Sequence, residues 1–334
     1  MSKQTFRRVI GILAAVYAVA IAAGLWWFRQ YLKSYEENHP VGAMNSYFAA
    51  LFDNDTAKIL ADADFPFDDI NTKEAYLQYL REKYPETDKR QYAELLNTDD
   101  GCLRYAVYES DRQCGTLTLQ KREDGAYRIF SDWQLRPAFT VTSPAVPLVN
   151  GVSLAAYRKS EPTVVAAFDG AGGVLPTTAT YAVETLLPET VTLPGGDAVL
   201  TRQADGTLLA TARPQASDAA ALTAFAEKAA RTFACYISKD APFSDLSAML
   251  EQNTPFSREV RAYDNYWYNQ HRSVDFENMQ VSAPVAWSAD AFTVEVSFDF
   301  IVRRTYDSHT YPTRYRIACR RAANGFWVTN IQPF

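Results

Sequence analysis

Histidine is the scarcest source of chemistry in this chain. Only His39, His271 and His309 occur in 334 residues, and no Gly-x-Ser-x-Gly elbow, Ser-x-x-Lys or Lys-Thr-Gly is present. A nucleophile of the Ser-His-acid kind needs a base beside it, so hydrolases of that class and transpeptidases are excluded. His39 reads as a solvated loop residue. Cysteine is nearly as sparse: Cys102, Cys114, Cys235 and Cys319, none in a Cys-x-x-Cys pair. With so few imidazoles, that spacing argues against a zinc site. Two readings of the thiols stay open. They are four small buried side chains, or Cys235 on an expected helix meets Cys319 on an expected strand as a disulfide.

A basic excess is missing too. Lys and Arg number 33 against 39 Asp and Glu, a formal charge of −6. With no basic stripe to neutralise a phosphate backbone, nucleic acid is excluded as a partner. "DGAGG" and "PGGD" read as turns, since they have neither the Gly-x-Gly-x-x-Gly spacing nor the strand-to-helix setting of a phosphate cradle. The acidic run "DNDTAKILADADFPFDD", from Asp53 to Asp69, places Ala57 and Lys58 where a calcium loop needs a ligand and a glycine. It reads as a solvated face. Neither a cofactor nor a metal is expected.

Long hydrophobic runs are rare, and one matters. "VIGILAAVYAVAIAAGLWWF", Val9 to Phe28, carries no charge over about the 20 residues a helix needs to cross hydrocarbon. Lys3, Arg7 and Arg8 precede it. The small residues of "AVAIAAG" suit a cleaved signal peptide, whereas Trp26, Trp27 and Phe28 suit a membrane interface, and the run is longer than a signal core. The expectation is an uncleaved single-pass anchor in the cell membrane, 9–28, with a cytoplasmic tail, 1–8. Everything from about Tyr35 onward is then extracytoplasmic. That remainder is more acidic than the whole, because Lys3, Arg7, Arg8 and Arg29 are the only charges before Lys33.

Apolar residues at 48% and aromatics at 13% are too many for a disordered chain. Helical spacing is predicted over Pro40–Phe52, Thr56–Ala63 and Thr72–Tyr84, and strands over Tyr92–Leu96, Cys102–Tyr108, Gly115–Lys121 and Tyr127–Trp133. The same order returns later. A helix starts near Ser217 and Asp218, read as N-cap residues, with shorter helices at Ser244–Leu250 and Arg258–Gln270. Strands follow at Gln280–Ala286, Phe292–Arg303, Thr313–Arg320 and Phe326–Ile331. "YFAALFDND" aligns with "TFACYISKD", Phe48 over Phe233, and "LTLQKREDGAYRI" with "IACRRAANGFWV", Gly125 over Gly325. An internal repeat is the economical reading.

A helical half followed by a curved antiparallel sheet that ends in "DGAYRI" or "NGFWV" resembles the NTF2-like superfamily. The first copy is also similar to the N-terminal module of low-affinity penicillin-binding proteins: Tyr127, Trp133 and Pro137 stand in the places of that module's last-strand motif, with Tyr where Trp is usual. The resemblance covers roughly two-thirds of the chain and implies a fold more than an activity. Between the copies, Thr, Val, Pro and Gly dominate, "PLVNGVSLA" signals a hairpin at Asn150 and Gly151, and short strands suggest a small β-sandwich.

The expected fold class is therefore α+β, with an N-terminal transmembrane helix and then two NTF2-like cone domains separated by a small all-β sandwich-like domain. The expected boundaries are 35–137, 138–215 and 216–334. The resemblance implies that a cone can hold a pocket, and some relatives use an Asp with a Tyr for proton transfer beside a carbonyl, which requires a carboxylic acid with a shifted pKa in an apolar cavity. Asp299 is the candidate, but strand alternation turns it away from the face of Phe298 and Phe300. In "AYDNYWYNQHR", Val260, Tyr263 and Trp267 fall at core spacing, leaving Tyr266 and Tyr268 as an exposed pair for a partner or a glycan. The expected function is that of a non-enzymatic, membrane-anchored scaffold of the bacterial cell envelope that engages envelope proteins or wall glycan. The alternative is a small-ligand receptor or enzyme using a cone pocket.

Overall fold

The periodicities just described become helices that carry a core and strands that close it. In the computed structural model the described residues are 3–37, 39–87, 89–95, 101–263 and 271–334, with side chains of the first helix described at 16–32 and 35. They divide into two units, Met1–Arg136 and Pro137–Phe334.

In the first unit, α1 (Lys3–Glu37), α2 (Pro40–Phe52), α3 (Thr56–Asp62) and α4 (Lys73–Lys83) precede β1 (Arg90–Glu94), β2 (Leu103–Glu109), β3 (Arg112–Lys121) and β4 (Tyr127–Ser131). The strands form an antiparallel meander in the order β1-β2-β3-β4. Helix α2 is the core helix. Its Met44, Tyr47, Phe48 and Leu51 recur at i, i+3, i+4 and i+7 and are all buried. Pro40 opens it in a turn that needs no N–H donor. Leu117 and Leu119 of β3 and Ile129 of β4 close the core from the sheet. Helix α4 is capped by the Thr72 hydroxyl, which accepts from the Ala75 N–H at 3.2 Å.

The transmembrane expectation is corrected here. Among the described residues no helix is long and apolar enough to cross a membrane. Helix α1 does cover the segment. Its described side chains cover 16–32 and 35, a stretch that includes Arg29 and Gln30. The side chains of 9–15 lie outside those described.

In the second unit, β5 (Phe139–Ser143), β6 (Leu148–Val149), β7 (Val152–Ser153), β8 (Thr163–Val164), β9 (Thr177–Val183), β10 (Val191–Leu193), β11 (Gly196–Arg202) and β12 (Leu208–Ala212) come first. Then follow α5 (Ala216–Ile237), α6 (Phe243–Ser247), α7 (Pro255–Arg261), β13 (Ser273–Val281), β14 (Val285–Ala286), β15 (Ala291–Arg303), β16 (Ser308–Ala322) and β17 (Gly325–Pro333). Alternate residues of β15, Phe292, Val294, Val296, Phe298, Phe300 and Val302, are buried in one cluster with Leu222, Ala226, Ala229, Ala230 and Phe233 of α5. The alanines let the helix axis sit close to the sheet. β16 adds Tyr315, Ile317 and Cys319, and β17 adds Val328 and Ile331.

The segment expected as a free-standing sandwich shares this unit. β12 pairs with β14 at Ala212 and Ala286, which joins its strands to the sheet of β15, β16 and β17. The physical reason lies at Phe168. β8 stops at Val164 and the chain turns into a 3-10 helix, Ala166–Phe168. Phe168 is thereby fully buried, in a cluster with Ala291 of β15 and Ala318 of β16. Burial of one such side chain contributes about 1.5–3 kcal/mol. Polar groups reinforce the docking: Asn330 Nδ2 donates to the Asp169 carbonyl at 2.6 Å, and Gln332 Nε2 to that of Ala166 at 2.9 Å.

Each unit thus contains a run of helices followed by antiparallel strands, the last of which begins at or just after a glycine in the left-handed region, Gly125 at φ 89° and Gly325 at φ 119°. Each of the aligned phenylalanines meets a tyrosine ring, on a different kind of element: Tyr84 follows α4 and Tyr315 lies in β16. Phe48 meets Tyr84 edge-on at 5.2 Å, and Phe233 meets Tyr315 edge-on at 5.4 Å.

Candidate functional site

The first unit holds a cavity of about 290 Å³ between α2, α3 and the turn from β3 to β4. Two local features shape it. Ile59 anchors α3 in the core, and Asp62, one turn later on the same face, is carried inward with it; both are buried. The "REDGA" turn then presents Arg122. The Arg122 N–H donates to the Ala126 carbonyl at 2.8 Å, the Gly125 N–H to the Arg122 carbonyl at 3.1 Å, and the Ala126 N–H to Asp124 Oδ1 at 3.0 Å. Held in this way, Arg122 Nη2 donates to Asp62 Oδ1 in a short ion pair. Asp62 is 8% exposed and Arg122 46%, so the carboxylate lies at the floor and the guanidinium at the rim. Lys58 joins the rim and donates to Ser46 Oγ at 3.2 Å.

Tyr47 completes the floor. It is 4% exposed and lines the cavity, and among the described residues its hydroxyl has no hydrogen-bond partner. Burial first, and then Tyr76 and the carboxylates of Asp62 and Asp132, hold its pKa well above the ordinary phenol value. The hydroxyl therefore stays protonated and available as a donor. Ala43, Ala61 and Ala126 supply the room that larger side chains would fill.

A second polar cluster in this unit is closed and structural. The Tyr84 hydroxyl lies 2.7 Å from Ser131 Oγ, Lys83 Nζ lies 2.8 Å from Asp132 Oδ1, and the Thr116 N–H donates to that same oxygen at 2.8 Å. Trp133, just past β4, packs edge-on to Phe65 at 4.9 Å and donates from Nε1 to the Asp64 carbonyl at 2.5 Å.

The interior of the second unit is filled by aromatic rings. Phe276 lies 5.3 Å from Phe298 and 5.2 Å from Phe300, and Phe298 lies 5.6 Å from Tyr315. Asp299 stands on the outer face, where its Oδ2 accepts from Asn278 Nδ2 at 2.7 Å. Asn278 sits at φ 54° where the β13 register shifts, so Asp299 holds a bulge. His271 Nε2 lies 3.0 Å from Asp240 Oδ2, and His309 pairs with Asp307 at 3.1 Å. His39 is exposed beside Tyr35.

Tyr266 and Tyr268 lie outside the described residues. Cys235 is half-buried, Cys319 is buried, and both are free thiols in this structure. The acidic run of the first unit divides by role. Asp68 Oδ1 accepts from the Ile70 and Asn71 N–H groups at 2.8 and 2.6 Å, whereas Asp62 departs from the expected solvated face. The signal for Asp62 was its i, i+3 spacing from Ile59. Among the described residues no cluster of His, Cys, Asp and Glu is arranged to hold a metal ion.

Among the described residues these features give an α+β protein whose first unit has a polar-floored cavity beside Tyr47 and a wider cleft beside Phe48 and Arg90, and whose second unit has an aromatic-packed interior and a cleft beside Trp287. No protein-family profile matches the chain, and no curated protein matches it. Among solved structures, one described as "Ntf2 like protein involved in plasmid conjugation" overlaps 73% of this chain and 76% of its own, at 10% identity and a TM-score of 0.27. At that score the overlap carries no argument about fold or function.

Proposed function

We propose that this protein is a non-enzymatic scaffold or binding protein of the bacterial cell envelope. In this reading its two units are NTF2-like, lie outside the cytoplasm, and engage an envelope protein or wall glycan. The first unit is kin to the N-terminal module of low-affinity penicillin-binding proteins. The observation that supports the reading is the aromatic packing inside the second unit, where Phe276, Phe298, Phe300 and Tyr315 lie ring against ring. A domain packed in this way offers its surface, not its inside, to a partner.

The test has two arms. The full chain is incubated with purified insoluble wall glycan and sedimented, and photo-crosslinking residues are placed at Tyr266 and Tyr268 in intact cells. Co-sedimentation, or a discrete crosslink to one envelope protein, is the expected result. If the chain stays in the supernatant and both positions give no discrete product, the scaffold reading is lost.

A second reading, that the first unit receives a small ligand, is favoured by one observation: the cavity beside Tyr47.

A further inference from the structure

Four features of the first unit's cavity bear on what it would hold. The first is the Tyr47 hydroxyl, a donor that lines the cavity with no protein partner among the described residues, so that a ligand acceptor would take the place of water there. The second is Asp62, whose Oδ1 is taken by Arg122 while no group among the described residues donates to Oδ2. The floor thus offers one hydroxyl and one carboxylate oxygen, the set that a ligand hydroxyl satisfies by accepting from the first and donating to the second. The third is the rim. Lys58 and Arg122 stand there with Asp62 as the one carboxylate, so the lining carries a net positive charge of one. The fourth is size. At about 30 Å³ per water-sized group, a cavity of about 290 Å³ takes roughly ten non-hydrogen atoms.

A carboxylate on the floor would face Asp62 and be repelled, whereas at the rim it meets two cations. The alanines and Ile129 between floor and rim favour an apolar body. We propose that this cavity binds a small hydroxy-carboxylate, with its carboxylate at Lys58 and Arg122, an apolar middle, and its hydroxyl on Tyr47 and Asp62. The proposal deepens the ligand reading of the first unit and is independent of the scaffold reading, which concerns surface and not cavity.

The probe is 4-hydroxybenzoate, which has ten non-hydrogen atoms by roughly the same count. Benzoate lacks the hydroxyl and serves as the comparison. Binding to the full chain is followed by calorimetric titration at low ionic strength. Wild type is expected to bind 4-hydroxybenzoate more tightly than benzoate. Tyr47→Phe is expected to weaken 4-hydroxybenzoate about tenfold and leave benzoate unchanged, because only the former uses the hydroxyl. Lys58→Gln, at the exposed rim and outside the core, is expected to weaken both several-fold and to flatten the salt dependence. If Tyr47→Phe fails to fold by its thermal melt, the Lys58→Gln result and the preference for 4-hydroxybenzoate over benzoate still decide the matter. Three outcomes overturn the proposal: no binding at millimolar probe, equal affinity for the two probes, or displacement by equimolar inorganic phosphate, which would mark a nonspecific anion site. Each is distinct from failure of the glycan and crosslinking arms.

Discussion

The guanidinium of Arg320 donates through Nη1 to Glu251 Oε1 at 2.9 Å, and this pair in β16 and the α6–α7 connection fastens a loop made far earlier in the chain. The same Nη1 reaches the Gly172 carbonyl at 2.6 Å, and Nη2 reaches that of Val174 at 2.9 Å. "DGAGG", read from sequence as a turn, is therefore a turn held by a planar fork. Gly173, at φ 67°, leaves room for it: a Cβ there would lie 3.1 Å from Arg320 Nη1.

Arg320→Met is expected to destabilise the second unit by about 3–5 kcal/mol, because Glu251 would be left partly buried and uncompensated. Its Oε2 is already buried without a partner. Arg320→Lys should fall between, since an ammonium cannot span the same acceptors. Urea denaturation measures both, and a wild-type midpoint for the methionine variant would refute the clamp.

Gly115 in β3 has no special backbone angle, yet it has no space. An added Cβ would lie 2.5 Å from Lys83 Cε, 2.5 Å from the Tyr84 hydroxyl and 3.0 Å from Asp132 Oδ1. Lys83 can move, but Tyr84 is fully buried. Gly115→Ala is therefore expected to cost about 1–3 kcal/mol by overpacking. The thermal melt of the first unit should fall, and an unchanged melt would mean that the Tyr84–Ser131–Asp132 cluster yields freely.

Burial pushes the Cys319 thiol up to about 12. An acid raised in this way keeps in the folded state a proton that the unfolded state releases. Its contribution to stability is complete below about pH 8.5, the ordinary thiol value, and is lost as pH rises toward 12, by at most about 1.4 kcal/mol per pH unit. Denaturant midpoints at pH 8, 9.5 and 11 should fall more steeply for wild type than for Cys319→Ala. Parallel profiles would show that the thiol takes no part. At pH 8 a thiol reagent should label Cys319 only after unfolding.

Deletion of Phe326–Phe334 is expected to abolish cooperative melting of the second unit. β17 carries Val328 and Ile331 of the core on one side and the Asn330 and Gln332 contacts to Asp169 and Ala166 on the other. A deletion variant that melts like wild type would refute that assignment.

Much of this architecture was legible because it obeys local periodicity. Helix α2 was readable end to end, since its apolar spacing matches the turn of a helix. The hairpin at Asn150 and Gly151 appears with φ 52° and 83°, as its dipeptide requires. What escaped was decided by distant partners. Ser217 and Asp218 do not cap α5, which begins one residue earlier behind Gln215. Asp218 instead accepts from Arg321 at 2.6 Å, and that bond holds its carboxyl below the usual range. Phe168 is buried against Ala291 of β15 and Ala318 of β16, partners far along the chain. Asp62 of the cavity was hidden in an acidic run whose charge suggested solvent, and its helical register with Ile59 was the better guide.

The bond between Asn330 and the Asp169 carbonyl spans 161 positions. On a growing chain, Phe168 and the loop after it are made long before β16 and β17 exist to receive them. For that interval the middle strands have exposed backbone and an unhoused aromatic ring. This predicts a period of susceptibility to proteases and to mispairing that ends only when the final strand is added. The second unit is thus assembled backward, with its last-made strand finishing its first-made part.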